Sequence, residues 1–167
     1  MLKQEGAQLY ARMSGEAGEL RCSGTVHDEV LAGRYEFAAN PAFLQKMFAM
    51  GFDGITERKQ EGFLLLDITT AWIQEMKDAG VMELSTNKLM GMRALHVNLS
   101  YIRAMAAAGY PELLRANKLI EMKEVGVTLE KVQEAKSLGF HPTEQELAQM
   151  SIFKIDRAFV ERMRSKD

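Results

Sequence analysis

Apolar residues along this chain change their period at Asn40. Before that point apolar and polar positions alternate, as in strands with one half-buried face. The alternation predicts a strand at Gln8–Met13, a second at Leu20–Val26 and a third at Arg34–Phe37. Turns are predicted at Gly15-Glu16-Ala17-Gly18 and near Gly33. Residues 1–39 are thus expected to form a three-stranded antiparallel meander, with two edges that invite pairing unless covered.

From Asn40 onward the spacing is helical, and the wording recurs about every 29 residues. Gly51, Gly80, Gly109 and Gly139 stand 29, 29 and 30 apart. Eleven residues before each is a good helix cap: Asn40, Thr69, Asn98 or Thr128. The copies run 40–68, 69–97, 98–127 and 128–155, and Asp156 opens a partial fifth at 156–167. The residue before the cap (Ala39, Ile68, Val97, Val127, Ile155) and the fourth after it (Leu44, Ile73, Ile102, Val132, Val160) form a hydrophobic staple.

The third position after the cap is aromatic in Phe43, Trp72, Tyr101 and Phe159, and Lys131 is the exception. The seventh is Met47, Met76, Met105 and Met163, with Ala135 the exception. Offsets of three, four and seven share one helix face, so these positions predict a buried seam. Each glycine then ends its helix in a left-handed turn. A second helix follows in each copy, capped at Thr56, Ser85 and Thr143, the last opening a capping box with Glu146.

The expected class is therefore α+β: a small meander followed by stacked helical-hairpin repeats, read as one cooperative unit. The sheet is expected to cap the N-terminal end of the stack.

Composition adds little to this picture. A hydrophobic fraction of 47% and a charged fraction of 26% suit a folded domain. A formal net charge of −2 announces no polyelectrolyte partner. Twelve Met against one Trp suggest a core of adaptable side chains. Cys22 is the single cysteine, so no intrachain disulfide forms, and a reducing compartment is expected. The first residues lack an apolar stretch like that of a signal peptide, and the longest apolar runs, such as Phe63–Leu66, span about four residues. The expectation is a cytoplasmic protein, or a soluble piece of a larger one.

The phrases Leu119-Ile120-Glu121-Met122-Lys123-Glu124-Val125-Gly126-Val127-Thr128 and Phe159-Val160-Glu161-Arg162-Met163 resemble a helical repeat of bacterial proteins. That repeat occurs in the C-terminal regions of membrane metallopeptidases of the antibiotic-sensor (BlaR-like) type. Gly33–Phe37 ahead of Asn40-Pro41-Ala42-Phe43 is similar to the strand-to-helix junction that precedes such repeats. The resemblance implies an architecture and a bacterial origin. It transfers no catalytic residue, because the His-Glu-x-x-His zinc motif is absent from this chain.

Candidate chemistry is sparse. His27, His96 and His141 have no second ligand at a metal-binding spacing. Asp67, His96, Gly126 and Lys154 share one slot, just before the staple residue. Stacking could bring Asp67 to His96, and such a pair can orient an imidazole as a base; an inter-repeat hydrogen bond is the plainer reading. Cys22 and His27 are five residues apart in a predicted strand, so their side chains face opposite ways. The aromatic positions could be a base-stacking ladder, but they share their seam with staple residues and methionines. No catalytic, cofactor-binding or metal-binding residue is therefore assigned. The expected function is a non-enzymatic protein-interaction or sensing module. Two rivals stand beside it: a nucleic-acid binder, and an enzyme using Asp67, His96 or Cys22. Self-association to a homodimer is expected through the first strand's edge or the partial fifth copy.

Overall fold

The computed structural model describes residues 6–110 and 114–165; residues 1–5 of the expected meander and 166–167 of the fifth copy lie outside them. Strands β1 (Gln8–Gly15), β2 (Gly18–His27) and β3 (Val30–Ala39) form an antiparallel sheet in the order β1-β2-β3. Among the described residues nine helices follow: α1 (Pro41–Ala49), α2 (Glu57–Leu65), α3 (Thr70–Asp78), α4 (Thr86–Ala94), α5 (Leu99–Ala107), α6 (Ala116–Glu124), α7 (Leu129–Ser137), α8 (Glu144–Ile152) and α9 (Arg157–Arg164). None of them is long and apolar enough to cross a membrane. By compactness the chain divides within α3, into residues 1–73 and 74–167.

In the first unit the β2–β3 turn differs from its expected place. It lies at Asp28-Glu29, both left-handed (φ 49° and 63°), and not at Gly33. Two consecutive positive φ values give the turn whose twist matches the flanking strands. Gly33 instead sits inside β3 opposite Gly24. A Cβ on either would overlap the other strand's backbone, so these glycines serve close strand approach.

The β1–β2 turn is the anchor of this unit. Helix α2 packs on β2 and β3, and the rings of Phe43 and Phe63 meet edge-on with centroids 5.9 Å apart. Fully buried Gln60 donates through Nε2 to the carbonyls of Ala17 (2.7 Å) and Asn40 (2.8 Å). Asn40 caps α1 and also donates through Nδ2 to the Glu16 carbonyl at 2.9 Å. The Glu16 carboxylate accepts from the Thr70 amide (2.7 Å), the Thr70 hydroxyl (2.6 Å) and Lys46 Nζ (2.9 Å). Thr70 is the first residue of α3, so Glu16 fills an orphan N–H and places negative charge at a helix N-terminus.

In the second unit α4 packs against α6 and α5 against α7. Each first helix begins on a cap that accepts the amide three residues on: Asn98 from Tyr101, Thr128 from Lys131, Asp156 from Phe159. The closing glycines are left-handed, as at Gly80 (φ 82°), Gly109 (96°) and Gly139 (88°). The residue after each donates back to the helix: Val81 to the Met76 carbonyl, Tyr110 to Met105 and Phe140 to Ala135, at 3.0–3.1 Å. This is the Schellman closure. Helix α6 begins at Arg115, which offers no capping side chain. There the backbone substitutes: the Met82 amide donates to the Leu114 carbonyl (2.7 Å), and the Ala116 amide donates to the Met82 carbonyl (3.1 Å).

Two predictions follow from these ends. A Cβ at Gly109 would meet open space, so Gly109→Val tests backbone strain alone and should lose about 1–3 kcal/mol in urea unfolding. A parent-like midpoint would refute the left-handed closure. For Glu16, burial alone would raise the pKa, but the hydrogen bonds from Thr70 and Lys46 outweigh it and the folded value is lowered. Its contribution is therefore full above the unfolded value, near 4.3, and disappears as pH falls through the lower folded pKa. Glu16→Gln should cost about 1–2 kcal/mol at neutral pH and flatten the acid limb of the stability profile.

Candidate functional site

The seam is buried where it was expected to be in the first three copies. Phe43, Trp72 and Tyr101 are buried, and Met47, Met76 and Met105 are wholly so. The fifth copy departs from the expectation: Phe159 is half-buried and Met163 is 53% exposed. Among the described residues no second helix follows α9 to cover them.

The slot shared by Asp67, His96, Gly126 and Lys154 is a backbone position. All four are left-handed, with φ of 50°, 55°, 72° and 53°. Each stands two residues beyond the last residue of a second helix, and the next residue donates back into that helix, as Val97 does to Met92 (2.8 Å) and Ile155 to Met150 (2.9 Å). Asp67 belongs to one compact unit and His96 to the other. Cys22 and His27 lie on one unbroken strand in continuous register, so their side chains take opposite faces of the sheet. Among the described residues no three His, Cys, Asp or Glu side chains cluster to hold a metal.

The site the sequence reading missed arises from the two exceptions in the seam. In the third copy the buried Tyr101 hydroxyl donates to the Val127 carbonyl at 3.1 Å. Lys123 Nζ lies 4.2 Å from the centre of the same ring. In the fourth copy Lys131 replaces Tyr101, Ala135 replaces Met105 and Ser151 replaces Lys123. The space so vacated is a cleft of about 300 Å³ between α7, α8 and the turn into α9. Ala135, Leu138, Leu147, Met150 and Ile155 give it apolar walls; Lys131, Glu134, Ser151, Lys154 and Asp156 give it a rim of both signs. Lys131 Nζ donates to Ser151 Oγ at 2.8 Å, and Ser151 donates onward to the Val125 carbonyl. Helix α9 holds the rim: the Arg157 amide donates to Glu134 Oε1 (3.2 Å) and its guanidinium to Ser137 Oγ (2.8 Å).

A second groove of about 330 Å³ shares Met150 and Ile155 and is lined further by Phe140, His141, Pro142, Glu146 and Gln149. This is where the structure places His141. Nearby in sequence, Ile152 and Phe153 are 56% and 68% exposed. A separate depression on the sheet is lined by Tyr10, Arg12, Arg21, Arg34 and Glu36 among others. Two of its guanidinium groups, Arg12 and Arg21, are paired with Glu19.

The Tyr101 contact can be tested directly. Burial pushes its pKa up to about 12. A raised tyrosine pKa stabilises the fold fully below the unfolded value, near 10, and that stability is lost as pH rises through about 12. Tyr101→Phe should cost about 1 kcal/mol at neutral pH and remove this part of the alkaline loss. An unchanged alkaline limb would place the hydroxyl in water.

No family model, curated protein or solved structure matches the chain, so a functional reading starts from the geometry of this cleft.

Proposed function

We propose that the chain is a non-enzymatic protein-interaction module whose binding surface is the run of helices α7 to α9. The observation that carries this reading is a core slot emptied in one copy and left open on the surface. Such a slot is a concave apolar site with convergent polar groups, the usual form of a recognition pocket. Exposed Phe153 and Ile152, in the same helix pair, add apolar surface of the kind that marks contact with other proteins.

The sheet depression favours the nucleic-acid rival by its three arginines. Its local charge is nearly balanced by Glu19 and Glu36, and the chain as a whole carries −2. Phosphate binding driven by counterion release needs an unpaired basic surface. Asp67 and His96 need no catalytic explanation, because the left-handed helix end accounts for their shared slot.

The test is affinity capture from a native lysate, with the parent and an Ile152→Asp/Phe153→Asp variant compared side by side. The expected result is a stoichiometric protein complex that survives nuclease and is lost from the variant. Retention abolished by nuclease, or no protein held above a control bait, would contradict the reading.

A further inference from the structure

We infer that the cleft between α7 and α8 is a receptor for a tyrosine side chain presented by a partner polypeptide. This rests on the interaction-module reading and gives it a ligand chemistry. The fold itself indicates what fits, because the equivalent slot is filled three times by an aromatic residue of the chain: Phe43, Trp72 and Tyr101. The walls of that slot are conserved in kind between the third and fourth copies. Leu147 stands where Leu119 does, Met150 where Met122 does, and Ile155 where Val127 does. The occupant, its methionine neighbour and the lysine over its ring are the positions that differ.

The polar groups select tyrosine among aromatics. Tyr101 donates its hydroxyl to the Val127 carbonyl. The equivalent Ile155 carbonyl accepts no hydrogen bond among the described residues. A phenol seated as Tyr101 is seated would donate to it. The cation is supplied as well: Lys123 Nζ faces the ring of Tyr101, and Lys131 Nζ is held at Ser151, the residue in the place of Lys123. An ammonium beside an aromatic face is attractive. Size fits the same occupant. About 300 Å³ is the small end of ligand sites and leaves room for one side chain. The adjoining groove past Met150 continues the surface for neighbouring residues of a peptide.

The experiment titrates N-acetyl-tyrosinamide, N-acetyl-phenylalaninamide and N-acetyl-leucinamide at millimolar concentrations into the isotope-labelled full chain, with the methyl signals of Ala135, Leu147 and Met150 followed by NMR. Saturable shifts at these methyls are expected, with tyrosinamide bound about three- to tenfold tighter than phenylalaninamide and leucinamide weakest. Lys131→Tyr, which refills the slot from within, should abolish them. Lys131→Ser, which leaves the slot open, should retain them. Absent or unsaturable shifts in the parent would overturn the assignment, as would equal response to leucinamide or undiminished binding by Lys131→Tyr. Self-association of the parent that Lys131→Tyr abolishes would make the occupant a second copy and overturn the separate partner. If the probes fail while the captured complex persists, only the cleft assignment falls; if no complex forms either, the module reading falls with it.

Discussion

Helices of nine residues are too short to persist by themselves in water. Each one here depends on closing both of its ends and burying one stripe. At every helix but α6 a cap side chain accepts an amide two or three residues on, and from α1 to α8 the C-terminal end is closed by a left-handed residue whose successor donates back across the last turn. Because ends are closed locally, the stripe can vary from copy to copy without unmaking the helix. Helix α7 shows this: it keeps the Thr128 cap, the Gly139 closure and the buried staple of Val127 and Val132. With those retained, the chain tolerates Lys131 and Ala135 where other copies have an aromatic residue and methionine. The cleft is a consequence of that division of labour.

The same constraint explains the connections. Four residues link every second helix to the next first helix, from α2–α3 to α8–α9. That link must contain the helix end, the left-handed residue, the staple and the next cap, so its length is fixed. The other connection also holds a left-handed glycine, but further residues separate it from the start of the next helix, and its length varies. It is there that the longest copy replaces a cap side chain with the backbone bridge between Met82 and Arg115.

Most of the helical part was legible because its signals are local. Caps, staples, closing glycines and the Thr143–Glu146 box each act within a few residues, so sequence spacing suffices to find them. What was not legible has physical reasons. The Asp28-Glu29 turn lacks the glycine that usually supplies positive φ, while the glycine that is present, Gly33, answers a cross-strand contact. Asp67, His96 and Lys154 occupy left-handed positions that glycine fills only at Gly126, so their common slot looked like chemistry. Glu16 bonds the first turn of a helix 54 residues away, and no local pattern marks such a partner. The cleft was half visible: Lys131 and Ala135 stood out as exceptions, but only the fold shows that Ser151 and Ile155 surround the space they leave.

The central claim is that position 131 is a core slot from which an aromatic ring has been removed. The stability of Lys131→Tyr in urea unfolding measures this most directly. A ring returning to a preformed slot should raise stability by about 0.5–2 kcal/mol, the usual gain from filling a cavity. A loss of stability, or none gained, would mean that the cleft is not the counterpart of the Tyr101 site.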